Sequence, residues 1–231
     1  DEDRSVLTCQ RVMRGRDKGD VYIGTNHGVT LIRGLVYNSH RHAAWYAEGD
    51  SLQAGFNWGL GIGPDGEVLV ANDWMVGILE PNGVLEDFDR ERTWDGPVPW
   101  RYKGHNAQLN SLEAFDHWRA IARTRGGRVW VGSRDYGLWR MDVKDRSSAH
   151  FTRLDALPSR GVTALAAMEG DTVYVGTDGE GLWRLEADSE ALARVDEVKG
   201  SKVLQLVYDP TVSPAMLYVL TDAGLTVLRG D

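Results

Sequence analysis

Carboxylates recur in short polar stretches of the sequence, where they could carry out acid–base chemistry. They are Asp73, Asp135, Asp178, Glu180 and Asp222. Two carboxyl groups that face each other across a bound sugar form the catalytic pair of most glycoside hydrolases. Asp is also a common turn residue, because its side chain hydrogen-bonds the nearby backbone. The turn interpretation is favoured, and no residue is predicted to be catalytic.

Aromatic and polar residues are concentrated between Asp89 and His117, and they include Trp94, Trp100 and Arg101. Aromatic rings cover the apolar face of a pyranose, while nearby polar groups hydrogen-bond its hydroxyls. A connection of this length is uncommon in a compact domain, and such connections are often functional. We expect an inserted loop at 89–116 whose tryptophans contact a ligand or partner, or pack internally.

Other local patterns are weaker. His40 and His42 lie on one side of an extended segment, but no third metal ligand is evident, so no metal and no cofactor is predicted. The glycines from Gly59 to Gly63 lack phosphate-loop spacing and predict a strand with a hairpin. Cys9 is the single cysteine, which excludes an intrachain disulfide, and we expect it to be buried in a strand.

Composition narrows the class of partner. Lys plus Arg number 26 against 34 Asp plus Glu, a net charge of −8, which disfavours nucleic acid. No apolar run is long enough to insert into a membrane. The chain begins at Asp1 without an apolar signal segment, which fits a mature exported protein. A periplasmic or extracellular location is expected, although one cysteine fits the cytoplasm equally well.

A repeated motif spans the chain and places the carboxylates in turns. Five short segments end at Thr25, Asn72, Ser133, Thr177 and Thr221, and the last three follow one another at 44-residue intervals. The two clearest copies are Val129-Trp-Val-Gly-Ser133 with Gly137-Leu-Trp-Arg140, and Val173-Tyr-Val-Gly-Thr177 with Gly181-Leu-Trp-Arg184. Each copy consists of an apolar run, a short turn and a second run, which indicates a β-hairpin.

Further strands flank these hairpins and predict the fold class. An apolar strand precedes each hairpin and a fourth follows some, and four strands make one propeller blade. We therefore expect an all-β protein, a single β-propeller domain over 1–231 with about five four-stranded blades. Their ranges are 5–47, 56–88, 117–154, 161–197 and 201–231. An all-β solenoid is the alternative. The first blade begins at its inner strand near Val6 and the last ends at its third strand near Leu228, so neither end supplies the missing outer strand. Either the propeller closes by other means, or further blades from another segment or chain complete a larger one.

The stretch Leu154-Asp-Ala-Leu-Pro-Ser-Arg-Gly-Val-Thr-Ala-Leu165, with the motifs at Val173–Asp178 and Gly181–Arg184, resembles the two-component-regulator propeller repeat. The copy at 118–153 shares the last two motifs. The resemblance implies a periplasmic sensing domain that recognises a ligand, often an oligosaccharide. The kinase, transmembrane helix and immunoglobulin-like segment of such sensors do not occur in this sequence.

In a propeller blade, the turn between strands two and three lies on the same face as the connection from strand four to the next blade. We therefore predict a binding site from the residues of these turns and connections, together with the inserted loop. They are Asn26, His27, Trp58, Asp73, Trp74, Trp94, Trp100, Arg101, Arg134, Asp135, Tyr136, Asp178 and Glu180. Trp130, Trp139 and Trp183 lie inside the repeat and are predicted to pack within the blades, as is Trp118.

Three functions fit these observations. The first is a noncatalytic sensor-type module that binds an oligosaccharide or another small polar ligand on its loops. The second is a scaffold that docks a protein partner through the inserted loop. The third is a glycoside hydrolase or polysaccharide lyase that uses the turn carboxylates. Binding without catalysis is the preferred hypothesis.

Overall fold

The computed structural model of the protein describes residues 6–14, 18–25, 28–33, 36–41, 57–72, 76–81, 100–103, 118–143 and 149–230. Every regular element in these ranges is a β-strand, as the repeat predicts. A membrane-spanning helix is therefore absent from the described ranges.

The strands form five antiparallel sheets, and each sheet is built from consecutive strands in chain order. Sheet 1 contains β1 (Val6–Arg11), β2 (Val21–Thr25), β3 (Gly28–Arg33) and β4 (Val36–Arg41). Sheet 2 contains β5 (Asn57–Ile62), β6 (Val68–Asn72), β7 (Val76–Pro81) and β8 (Trp100–Lys103). Sheet 3 contains β9 (Trp118–Arg123), β10 (Val129–Ser133), β11 (Leu138–Val143) and β12 (Ala149–Arg153).

Sheet 4 contains β13 (Val162–Ala167), β14 (Thr172–Thr177), β15 (Leu182–Glu186) and β16 (Ala191–Arg194). Sheet 5 contains β17 (Val203–Asp209), β18 (Met216–Thr221) and β19 (Gly224–Arg229). The first strand of each sheet packs against the first strand of the next, so β1, β5, β9, β13 and β17 follow one another around a common centre.

The strand pairing confirms the register of the repeat. In all five sheets, the residue that ends the second strand lies opposite the residue that begins the first. These pairs are Thr25 with Val6, Asn72 with Asn57, Ser133 with Trp118, Thr177 with Val162, and Thr221 with Val203. The five positions identified as equivalent in the sequence are therefore equivalent in the structure.

Two segments differ from the expected loops. β8 lies within 89–116, where an inserted loop is predicted, and it completes sheet 2 by pairing with β7. Its sequence, Trp-Arg-Tyr-Lys, includes two aromatic residues that favour strands, and the edge of β7 offers unpaired backbone groups. Trp58, expected in the connection before sheet 2, is the second residue of β5.

Close packing between sheets explains the glycine of the repeated motif. A Cβ atom added at Gly132 would lie 2.3 Å from Cγ1 of Val162, which begins the next sheet, and one added at Gly176 would lie 2.6 Å from Cγ1 of Val203. Glycine at this position lets the first strand of the following sheet approach the second strand closely.

The tryptophans predicted to pack do so. Trp118 and Trp130 are fully buried, and the ring of Trp118 stacks on Phe151 with 5.6 Å between centroids. Trp139 and Trp183 pack against the apolar clusters of sheets 3 and 4. Cys9 lies in β1 as expected but is exposed, so the prediction that it is buried is wrong. Strand alternation points its side chain away from the face that contains the fully buried Tyr22.

Candidate functional site

One end of the molecule combines the turns between second and third strands with the connections that enter the first strands. We call this end the loop face. Backbone hydrogen bonds join the two kinds of segment: the Gly137 N–H donates to Arg160 O over 2.6 Å, and the Gly181 N–H donates to Ser201 O over 2.7 Å. The shared face predicted for these loops is therefore present in sheets 3 to 5.

In sheets 3 to 5, the turn on the loop face is held by the hydroxyl that ends its second strand. Thr177 Oγ1 donates to Gly181 O over 2.7 Å and accepts from the Glu180 N–H over 3.0 Å. Ser133 Oγ accepts from the N–H groups of Asp135 and Tyr136. The Ser or Thr of the motif thus orders the turn, because a buried hydroxyl has to form its hydrogen bonds with the nearby backbone.

The tryptophan of the motif holds the same turns from the third strand. Trp139 Nε1 donates to Tyr136 O over 3.0 Å, and Trp183 Nε1 donates to Glu180 O over 3.1 Å. These contacts assign the Gly-Leu-Trp element a second role beyond packing, because it ties the backbone of the turn to the sheet.

A β-bulge occurs at the same place in all five sheets. The second residue of the first strand is skipped in the register, so two residues of that strand lie opposite one of its partner. We call these five residues the bulge ring: Leu7, Trp58, Arg119, Thr163 and Leu204. Bulges re-aim side chains and are common beside functional sites. The pattern of apolar runs in the sequence carried no signal for the extra residue.

Within the bulge ring, Trp58 and Arg119 contact each other. The guanidinium carbon of Arg119 lies 3.8 Å from the centre of the Trp58 ring, a cation–π geometry. Both side chains are partly exposed. Sequence reasoning selected Trp58 but missed Arg119, because an arginine in a strand has no local mark of function.

The other predicted site residues divide into three groups. Asn26, His27, Asp73, Trp74 and Trp94 lie outside the described residues. Trp100 and Arg101 begin β8 at the edge of sheet 2. Exposed turn residues of the loop face account for the remainder, Arg134, Asp135, Tyr136, Asp178 and Glu180. The turn at 134–136 starts beside Arg119, because Ser133 pairs with Trp118.

Two of the turn carboxylates have structural partners. Asp178 forms an ion pair of 2.9 Å with Lys202 at the entry to sheet 5. Asp222 accepts from the N–H groups of Ser201 and Lys202 over 3.0 and 3.2 Å. The hydrogen bond from the Lys202 N–H and those from Ser201 lower the pKa of Asp222. Both carboxylates therefore join a turn to the connection that enters sheet 5.

The opposite end of the first strands encloses a cavity of about 340 Å³, which we call the axial cavity. It is lined by the first strands of all five sheets and by the connections that follow them. None of the described residues predicted for the site lines this cavity. A group of three or more His, Cys, Asp or Glu residues that could hold a metal does not occur among the described residues.

No protein-family model matches the sequence, and no curated protein matches it. Similar solved structures do exist. One is the extracellular domain of a putative hybrid two-component system from B. thetaiotaomicron, with 15% identity and a TM-score of 0.62. That match covers 98% of this chain and 29% of the other, so the chain spans less than a third of that structure's length.

Two further structures match with comparable scores. The β-propeller domain of Cps50 (Swd1) from Myceliophteria thermophila has 14% identity and a TM-score of 0.61, over 97% of this chain and 65% of the other. A gluconolactonase from Xanthomonas campestris has 10% identity and a TM-score of 0.59, over 92% and 69%. At these identities the matches show the fold alone. The chain has an all-β fold similar to that of β-propellers.

Proposed function

We propose that the chain is a noncatalytic, sensor-type propeller module whose five sheets are five blades and whose loop face binds a glycan or another small polar ligand. The observation that carries this proposal is the contact between Trp58 and Arg119 in the bulge ring. It lies at the end of the first strands where the turns predicted to bind ligand begin.

The chemistry of this pair suits a polar ligand. A guanidinium group stacked on an aromatic ring is held in one orientation, and its outward N–H groups can donate to hydroxyl or carboxylate oxygens. The exposed Arg134, Asp135 and Tyr136 add donors, acceptors and one aromatic ring beside it. The proposed binding site also includes Trp94, Trp100 and Arg101 and the turns of sheets 1 and 2.

The family and location form part of the same proposal. The repeat motifs resemble two-component-regulator propellers, and one similar structure is an extracellular domain of a hybrid two-component system. We infer a periplasmic or extracellular module of that repeat family. Enzymes also use this fold, as the gluconolactonase illustrates, so the site rather than the fold supports binding. The structural partners of Asp178 and Asp222 favour turn roles over a catalytic pair.

A thermal-shift screen against neutral and acidic oligosaccharides tests the proposal. A ligand present at about 100 times its Kd stabilises the folded state by about 2.7 kcal/mol, which raises the melting temperature. The shift should disappear in Trp58→Ala and Arg119→Ala and persist in Arg194→Ala, which removes an exposed arginine of β16. Trp94→Ala and Trp100→Ala test the extended site.

Two results would count against this function. A shift that survives both Trp58→Ala and Arg119→Ala would place the sugar elsewhere. If no sugar shifts the melting temperature and titration calorimetry detects no heat, glycan binding at the loop face is ruled out for the panel.

A scaffold function is the second candidate, and sheet 5 favours it. One face of this sheet packs Leu206, Leu217 and Val219 into the core. Strand pairing places Val207, Leu220, Leu225 and Val227 on the opposite face, where all four are exposed, Leu225 by 63%. An apolar sheet face of this kind suits a further blade-like sheet from a partner.

Light scattering of the purified chain tests the scaffold candidate. A second copy that covers this face should give a dimer that Leu225→Glu converts to monomer. Arg194→Glu, at an exposed position of β16 in sheet 4, provides the control. A monomeric chain whose mass is unchanged by either substitution would argue against self-association through sheet 5.

A further inference from the structure

The axial cavity differs from the loop face in its chemistry. Its walls are apolar and come from the first strands of different sheets, through Leu60, Ile121, Leu165 and Leu206. A volume of about 340 Å³ is within the range of small-molecule sites. The cavity can therefore accommodate a compact apolar group, and it lies at the opposite end of the strands from the bulge ring.

Positive charge exceeds negative charge among the residues that line this cavity. Four arginines contribute, Arg11, Arg14, Arg123 and Arg125, against the two acids Asp65 and Glu169. The whole chain carries a net charge of −8, so this local excess of arginine runs against its composition. We call these four arginines the rim of the cavity. A cationic rim around apolar walls favours an anion with an apolar body.

The ion pairs show which arginines remain undercompensated. Arg123 lies 2.6 Å from the buried carboxylate of Glu67 and is neutralised by it. Arg14 and Arg125 both approach the same oxygen of Glu169, the latter at 3.9 Å. Arg14 also donates to the carbonyl of Pro210, so it spans sheets 1, 4 and 5. Arg14 and Arg125 thus share the Glu169 carboxylate, and Arg14 also has Asp209 as a nearby opposite charge, so Arg125 is the less compensated of the two.

Tyr208 adds a hydrogen-bonding group at the same place. Burial raises the pKa of its phenol, while the charges of Arg14 and Arg125 act in the opposite direction. The phenol therefore stays protonated at neutral pH and can donate. Arg14, Arg125 and Tyr208 come from three different sheets, so only the assembled molecule brings them together.

We propose that the axial cavity is a second binding site, which takes a small amphipathic carboxylate. Arg14 and Arg125 bind the carboxylate, since guanidinium groups match the planar geometry of that anion. The apolar body lies against Leu60, Ile121 and Leu206. This site is separate from the loop face and does not depend on the function proposed there.

Titration calorimetry with 3-phenylpropionate, indole-3-acetate and octanoate tests this site, with 3-phenylpropanamide as the uncharged match of the first. At least one acid should bind, and 3-phenylpropanamide should bind about tenfold more weakly than 3-phenylpropionate or not at all. Arg125→Ala should cause a similar loss. Its side chain is 67% exposed, so the variant should fold, and its melting temperature checks this.

Two controls separate this site from others. Arg194→Ala removes an exposed arginine away from the cavity and should leave the affinity unchanged. Trp58→Ala alters the loop face and should also leave it unchanged. The proposal is overturned if none of the three acids binds below about 10 mM. It is equally overturned if the double variant Arg14→Ala, Arg125→Ala retains full affinity.

Discussion

The two ends of the first strands use the same five elements in different ways. At the loop face, all five sheets have a bulge at the second residue of the first strand, and in sheets 3 to 5 a turn begins beside it. At the axial cavity, the connections differ in length and residue type from sheet to sheet. The loop face is therefore built from a repeated backbone arrangement with different side chains, whereas the axial cavity is built once, from connections that differ between the sheets.

The two ends also differ in the contacts that hold them in place. In the turn at 178–180, the backbone is held by the hydroxyl and the tryptophan of the motif rather than by the exposed turn side chains. The rim of the cavity depends on contacts between sheets, such as those of Arg14 with Glu169 and Pro210. The loop face therefore suits variation in specificity, whereas the cavity depends on the relative placement of the sheets.

The largest effect is expected from Gly132→Ala, which opposes the close approach of two sheets. The new Cβ would overlap Cγ1 of Val162, a β-branched side chain with little freedom to move. We expect a loss of about 3 kcal/mol in the free energy of unfolding, measured by urea denaturation. Gly170→Ala, with no atom within 4 Å of the new Cβ, is the control. Equal stability of the two variants would contradict this account.

A smaller effect is expected from Glu67→Gln at the cavity end. The Glu67 carboxylate is 2% exposed, accepts from Arg123 over 2.6 Å and accepts from the Asp65 N–H over 3.0 Å. Loss of its charge should cost about 2 kcal/mol, because these bonds are charge-assisted. Glu169→Gln, at an exposed rim position, should cost about 0.5 kcal/mol. A reversed order of the two costs would show that the buried pair contributes little.

Thr177→Val should cost somewhat less, about 1.5 kcal/mol, and it tests the repeated turn. The substitution keeps the shape of the side chain but removes both hydrogen bonds of a fully buried hydroxyl. Thr177→Ser should restore most of the loss, because Ser133 serves the equivalent turn of sheet 3. If Val and Ser behave alike at this position, the hydroxyl does not hold the turn.

The smallest effect is expected from Asp222→Asn, and it should depend on pH. Hydrogen bonds from Lys202 and Ser201 lower the pKa of Asp222 below its ordinary value of 3.8. The ionised form therefore contributes stability above that value, and the contribution is lost as the pH falls through the folded-state pKa. The urea midpoint of the variant should fall below that of the unsubstituted chain at pH 7, and the difference should shrink in acid. A difference that stays constant would point to another cause.

Much of the fold could be predicted from the sequence, because aligning the repeated copies shows which positions are equivalent in each pair of strands. The pairing of Thr177 with Val162 and of Thr221 with Val203 follows from copies that match residue by residue. The strand at Trp100–Lys103 could not be predicted in the same way, because it lies far along the chain from β7 and has no counterpart motif at that spacing.

The candidate site was predictable in part. The turns at Arg134–Tyr136 and Asp178–Glu180 follow the motif and lie where it predicts, on one face. Arg119 was not predictable, because a bulge depends on how two paired strands differ in length rather than on residue type. The exposure of Cys9 was missed for a related reason, since burial depends on which neighbouring sheet covers a face.

The sequence by itself determined the repeat, the hairpin in each copy and the residues of its turn, because these depend on alternation and turn chemistry within short segments. The tertiary structure decided the contact of Trp58 with Arg119 and the meeting of Arg14, Arg125 and Tyr208. These residues are separated by tens to nearly two hundred positions in the chain. They come together because successive first strands pack side by side around one centre.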